Sequence, residues 1–84
     1  FPNPFNPLTT ISFDVPSPVH VTLRIYDLSG RLVTTLVNED LGAATHRIPW
    51  NGNDQAGRRV ASGAYYYRVV AGQDTATGKM LLVK

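Results

Sequence analysis

The stretch that decides the fold is VHVTLRIYDLSGRLVTTLV, residues 19–37. Its first half alternates, with aliphatic side chains at positions 19, 21, 23 and 25 and polar or amphipathic ones between them. A period of two is typical of a β-strand that buries one face. Residues 27–30, Asp-Leu-Ser-Gly, are a turn signal, because Asp bonds its own following backbone and Gly accepts positive φ. The stretch therefore predicts a hairpin, and the odd spacing of Val33 and Leu36 in its return strand indicates a bulge.

Similar patterns lie on both sides of this hairpin. Further strands are predicted at residues 9–15, 45–50, 58–60, 64–71 and 75–84. Asn38-Glu39-Asp40 is predicted as a polar tip beyond the hairpin, and Pro49 favours an edge strand or a bulge because it withholds a ladder hydrogen bond. Seven short strands with turn signals between them, and no convincing helical period, predict an all-β fold, an antiparallel β-sandwich of about seven strands.

The length of 84 residues predicts one domain, residues 1–84, with a single thin core. No cysteine is present to add a disulfide or a thiolate metal site. Alternation places these side chains in the core: Trp50, Ile25, Leu23, Tyr67 and Leu82. Within residues 64–71 it turns Tyr65, Tyr67 and Val69 inward. Residues 1–8, FPNPFNPL, are predicted as a proline-rich extended arm with Phe5 plugging one end of the core, or alternatively as an accessible processing junction.

Several classes of function find little support in the composition. The net charge is only +2 and the basic residues are scattered, which argues against nucleic-acid binding. His20 and His46 occur without a nucleophile elbow or a metal-binding helix, so we expect no enzyme, no cofactor and no small-molecule substrate. Residues 51–57 are rich in oxygen ligands but lack EF-hand spacing, so no metal site is expected. A carbohydrate platform at residues 65–67 is disfavoured because Tyr66 points away from its neighbours.

Four segments carry a family resemblance: FPNPFNPLTTISF at 1–13, VTLRIYDLSGRLVTTL at 21–36, THRIPWNGNDQAGRRVASGAYYYRV at 45–69 and KMLLVK at 79–84. In this order they resemble the C-terminal sorting domain of type IX secretion. The chain is also similar to the immunoglobulin-like domain of the flagellar hook-capping protein, which shares the W-x-G-x-x-x-x-G and S-G-x-Y-x-Y elements. Pro49 and Arg59 depart from the sorting-domain pattern without disturbing its turns.

The resemblance implies an immunoglobulin-like, non-catalytic domain that sorts an attached passenger protein. Its expected partners are the upstream passenger, the outer-membrane type IX machinery and a surface peptidase. Its expected location is secreted or at the cell surface, after transit through the periplasm. The alternatives are a structural domain of hook-capping type and a carbohydrate-binding sandwich.

The resemblance also leads to a predicted recognition surface on the last strand and its neighbour. A terminal strand offers an open edge for β-augmentation, and flanking lysines add positive charge. The predicted recognition residues are Gly63, Tyr65, Lys79, Met80, Leu81, Leu82, Val83 and Lys84.

Overall fold

The computed structural model describes residues 9–83, and these form six β-strands. The strands are β1 (Thr9–Val15), β2 (Val19–Asp27), β3 (Leu32–Leu41), β4 (Ala44–Trp50), β5 (Gly63–Ala71) and β6 (Asp74–Leu82). The described part of the chain contains no helix long and apolar enough to cross a membrane. The predicted arm at residues 1–8, with Phe5, and the predicted recognition residue Lys84 lie outside the described residues.

Two antiparallel sheets make up the sandwich. One is the pair β1-β4, and the other has the order β3-β2-β5-β6. The central strands β2 and β5 are rich in β-branched and aromatic residues, which suit a pleated, half-buried surface. This arrangement confirms the all-β, immunoglobulin-like fold class and leaves β3 and β6 as the edges of the larger sheet.

The core lies between the sheets and follows the predicted alternation. Its buried members are Ile11, Val15, Val21, Leu23, Ile25, Val37, Trp50, Tyr65, Val69 and Leu82. The indole of Trp50 is 1% exposed, meets the ring of Tyr65 edge-on at 5.2 Å between centroids, and donates from Nε1 to the carbonyl oxygen of Asn53 at 2.9 Å. Of the five predicted core residues four are buried, whereas Tyr67 is half-buried and packs against the core.

The predicted bulge in the hairpin is confirmed, and it occurs twice. The pairing of β2 with β3 shifts between Leu23 and Arg24 and again between Ile25 and Tyr26. The residues of β3 that the ladder skips are Leu36 and Val33. Their odd spacing in the sequence is the signature of two residues that each oppose no partner.

Two strand predictions are corrected. Residues 38–40 are not a tip but continue β3, where Asn38 pairs with Thr22 and Asp40 with His20. Polar side chains are tolerated there because this part of the strand is exposed. The predicted strand at 58–60 is reduced to a single bridge between Asn53 and Arg59, because the turn from residue 52 to residue 60 uses its backbone groups locally. The sandwich therefore has six strands rather than seven.

Candidate interaction surfaces

Two turns with the same sequence pattern, Asp-x-Ser/Ala-Gly-Arg, stand at one end of the sandwich. They are residues 27–31 and residues 54–58. In the first, Oδ1 of Asp27 accepts the backbone amides of Ser29 at 2.9 Å and Arg31 at 3.0 Å. The glycine in each turn has a φ near +85°, specifically 89° and 82°, a left-handed conformation that side chains with a Cβ rarely adopt.

The second turn repeats these bonds. Oδ1 of Asp54 accepts the amides of Ala56 and Arg58, both at 2.9 Å. The side chain of each turn's arginine returns to its own aspartate, with Nε 3.9 Å from Oδ2 in both cases. In the first turn the hydroxyl of Ser29 and the amide of Arg31 hold the pKa of Asp27 below its ordinary value. Each aspartate is thus satisfied inside its own turn.

The two turns lie side by side, and we call them, with the adjoining residues 51–53 and 59–61, the turn end. The amide of Gln55 donates to the carbonyl oxygen of Val33 at 3.1 Å, and a cavity of about 310 Å³ lies between the turns. Tyr65 closes this end from below, because its hydroxyl donates to the carbonyl oxygen of Ala61 at 2.6 Å. Burial raises the pKa of Tyr65, and the charge of Asp27 adds to the effect. A tyrosine that bonds backbone a few residues upstream pins a corner of an immunoglobulin-like sandwich.

The turn end offers little to a cation. One oxygen of Asp27 and one of Asp54 already accept two amides each, and each carboxylate faces its arginine. No group of three or more potential metal-ligating side chains occurs within residues 9–83. His46, the other residue considered for chemistry, donates from Nε2 to the carbonyl oxygen of Gly42 and stacks on Phe13, which is a packing role.

The second region is the solvent-facing side of the four-stranded sheet, which we call the outer face. Here β2, β5 and β6 place Tyr26 opposite Tyr66 and Tyr66 opposite Lys79. One step along, Arg24 stands directly opposite Arg68. The guanidinium carbon of Arg68 lies 5.8 Å from the ring centroid of Tyr26, which is cation–π distance. A cavity of about 370 Å³ lies beside this stack and is lined by Tyr26, Gly30, Tyr66, Tyr67, Arg68 and Thr77.

The two arginines and Lys79 of the outer face have no acidic partner among the described residues. All six carboxylate side chains of the chain belong to described residues, and none lies within ion-pairing distance of Arg24, Arg68 or Lys79. Like charges directly opposite each other on neighbouring strands are destabilising. The outer face is therefore a basic, aromatic surface with an uncompensated charge.

His20 marks the far end of the outer face and differs from the arginines. Its Nδ1 lies 2.9 Å from a carboxylate oxygen of Asp40, and its Nε2 lies 2.8 Å from the amide oxygen of Asn38. Both ring nitrogens can donate only in the imidazolium form. The bonds to Asn38 and Asp40 accordingly raise the pKa of His20.

The structure divides the predicted recognition residues between surface and core. Gly63, Lys79, Leu81 and Val83 are exposed, with Leu81 and Val83 at 69% and 74%. Tyr65 and Leu82 are buried and Met80 is half-buried. β6 is an edge strand as expected, but its last residues alternate between core and solvent.

Sequence reasoning missed the residues that make the outer face distinctive, namely Arg24, Tyr26, Tyr66 and Arg68. The alternation turns them outward, but it does not say which strands are neighbours. Only the register of β2 against β5 brings the two tyrosines and the two arginines into adjacent cross-strand pairs. The signal available in the sequence was the repeated Tyr/Arg spacing, 24–26 and 66–68, on two strands.

The chain is similar to known proteins of one kind. The family profile described as the FlgD Ig-like domain matches residues 6–75. A solved structure of FlgD from Xanthomonas campestris, described as giving insights into the hook capping essential for flagellar assembly, is 27% identical with a TM-score of 0.70 and is matched over 92% of this chain and 55% of its own. FlgD from P. aeruginosa is 21% identical with a TM-score of 0.70, over 89% and 58%, which shows the fold alone. No curated protein matches.

This chain spans a little more than half the length of each of those two structures. The matches show that the predicted function is wrong. They do not support a sorting signal for type IX secretion with a passenger, a translocation machine and a surface peptidase as partners. The hook-capping alternative agrees better with these matches. The physical reason is that the quoted segments are strands and turns wherever the structure describes them. The parts of these segments that lie within residues 9–83 specify the immunoglobulin-like sandwich that both families were expected to share and do not specify what recognises it.

Proposed function

We propose that this chain, which belongs to the FlgD Ig-like domain family, is a non-catalytic structural domain of a flagellar hook-capping protein. The observation that carries the proposal is the family match over residues 6–75. The 27% identical Xanthomonas campestris protein, which is described in connection with hook capping, supports it. Residues 1–84 act in this proposal as one domain, and we propose the cell surface as their place of action.

The geometry supports a role in assembly rather than in chemistry. The residues considered for catalysis, His20 and His46, are bonded to a strand neighbour and to a backbone carbonyl, respectively. The turn end is closed by bonds within its own two turns. What the sandwich presents to other molecules is a sheet face and an edge strand, which are surfaces that proteins use to contact proteins.

The test is deletion in the organism that encodes the chain. Removing the codons for residues 1–84 in frame is expected to leave the rest of the protein produced but the cells without completed hooks when they are viewed by electron microscopy. A matched strain carrying Arg47→Gln, a change at an exposed position of β4, should assemble hooks normally. Normal hooks and normal swimming in the deletion strain, or a parent strain that makes no hooks at all, would contradict the proposal.

A further inference from the structure

We infer that the outer face is a docking surface for an extended, acidic segment of a partner protein. The basis is the juxtaposition of Arg24, Arg68 and Lys79 with the tyrosine pair Tyr26 and Tyr66 on one open sheet face. The inference goes beyond the proposed function, because hook capping by itself says nothing about which face of this domain is contacted or by what chemistry.

The charges of the outer face are unbalanced around its two arginines. Arg24 and Arg68 are direct cross-strand neighbours, and the carboxylate at the far end of this face, that of Asp40, is bonded to His20. A sequence that only needed to fold would gain by placing a glutamate or threonine at one of these two positions, since opposite charges stabilise such a pair and like charges do not. The retained repulsion is relieved when carboxylates from another molecule lie between the two guanidinium groups, each of which can bind one in bidentate fashion.

The outer face also carries exposed aromatic and apolar side chains. Tyr66 is 40% exposed, and Leu32 and Leu81 on the two edge strands are 41% and 69% exposed. Tyrosine and arginine are the residue types that dominate protein–protein contacts, because they bury a large area and keep a polar group. Arg68 is already stacked over Tyr26, so part of its freedom is lost before a partner arrives, which lowers the entropic cost of binding.

The open edge of the sheet favours an extended occupant. The cavity beside Tyr26, Tyr66 and Arg68 reaches Thr77 of β6, whose outer side pairs with no strand of the described residues. An extended chain that lies along β6 can therefore place carboxylates at Arg68 and Lys79, with Arg24 directly across from Arg68. Nucleic acid is the weaker choice, because three cations neutralise few phosphates and affinity for a duplex depends on many such contacts. The favoured occupant is therefore an acidic protein segment.

The experiment measures binding of a fluorescent peptide of alternating Glu and Thr to the 84-residue chain by anisotropy. The reference peptide carries Gln in place of every Glu, and a single-stranded oligonucleotide of equal charge is the third probe. We expect the Glu peptide to bind about tenfold more tightly than the Gln peptide or the oligonucleotide, and raising the salt concentration to weaken it. Equal affinity for the Glu and Gln peptides, or tighter binding of the oligonucleotide, would overturn the inference.

Substitutions test whether the Glu peptide binds to the outer face. The double variant Arg24→Gln with Arg68→Gln is expected to bind the Glu peptide about tenfold more weakly or worse, with no fall in its thermal unfolding midpoint. The matched control Arg47→Gln removes one charge from the other sheet and should bind like the unsubstituted chain. If Arg47→Gln weakens binding as much as Arg68→Gln alone does, or if the double variant retains its affinity, the outer face is not the site. Neither result depends on hook assembly, so failure here leaves the proposed function standing.

Discussion

The turn end and the outer face both carry charged side chains, and they treat them in opposite ways. At the turn end Asp27 and Asp54 are each bonded to backbone amides and face the arginine four residues on. On the outer face Arg24 opposes Arg68, and no side chain within residues 9–83 forms an ion pair with either arginine. In this molecule the charged side chains that organise the turns are paired within a few residues. The unpaired charges on the well-packed sheet are available to another molecule.

The largest effect is expected beneath the turn end, at Trp50. Truncation by Trp50→Ala removes a fully buried indole and its bond to Asn53 and should lower the free energy of unfolding by about 3–5 kcal/mol. Trp50→Phe keeps a ring in the core and should cost less. Chemical denaturation of both variants checks the order, and equal losses would mean that the indole is not the anchor of this end.

A smaller loss of stability is expected at Gly78, in the middle of β6. A Cβ at this position would run into the ring of its cross-strand partner Tyr67, so Gly78→Ala should destabilise the domain by about 1–3 kcal/mol. Gly42→Ala is the matched control, because a Cβ there meets nothing within 4 Å. Equal midpoints for the two variants would show that the ring moves aside freely.

The turn bonds themselves come next. Asp54→Ala removes the acceptor of two backbone amides and should cost about 1–2 kcal/mol of unfolding free energy, because those amides lose their partner. Asp54→Asn keeps the accepting oxygen but not the charge, so it separates the hydrogen bonds from the attraction of Arg58. If both variants are as stable as the parent chain, the hydrogen bonds of Asp54 do not stabilise the fold.

The local structure could be predicted from the sequence, but which strands are adjacent could not. Alternation and turn residues placed the strands from residue 9 to residue 27 and from residue 63 to residue 82 almost as observed. The spacing of Val33 and Leu36 indicated one bulge, and the structure has two at these residues. The outer face could not be predicted, because the adjacency of β2 and β5 is a long-range pairing that local pattern does not encode. The predicted type IX function was wrong for a similar reason, because turns that two families share indicate a shared fold and not a shared function.

His20 gives a pH dependence that the arginines lack. Its pKa is raised in the folded chain by Asn38 and Asp40, so its contribution to stability is fully present below the ordinary pKa of histidine and is lost as the pH rises through the higher folded value. Titration followed by NMR should show this raised pKa, and the unfolding midpoint should fall slightly as the pH rises from below the ordinary histidine pKa of about 6.5 through the raised folded value. Asp40→Asn should reduce both effects; an unchanged pKa in that variant would mean that Asp40 does not hold the imidazolium.

The most direct test of the contrast between the two regions is a double-mutant cycle between Arg24 and Arg68, each changed to Gln, read out as free energy of unfolding. We expect each single variant to lie within about 0.5 kcal/mol of the parent chain. In Arg68→Gln the lost cation–π contact with Tyr26 offsets the relieved repulsion, whereas Arg24→Gln relieves the repulsion alone. The coupling energy should be unfavourable in the parent, so that the second substitution gains less than the first. A favourable coupling, or a loss of more than about 1 kcal/mol from Arg68→Gln alone, would show that these charges stabilise the fold as those of the turn end do.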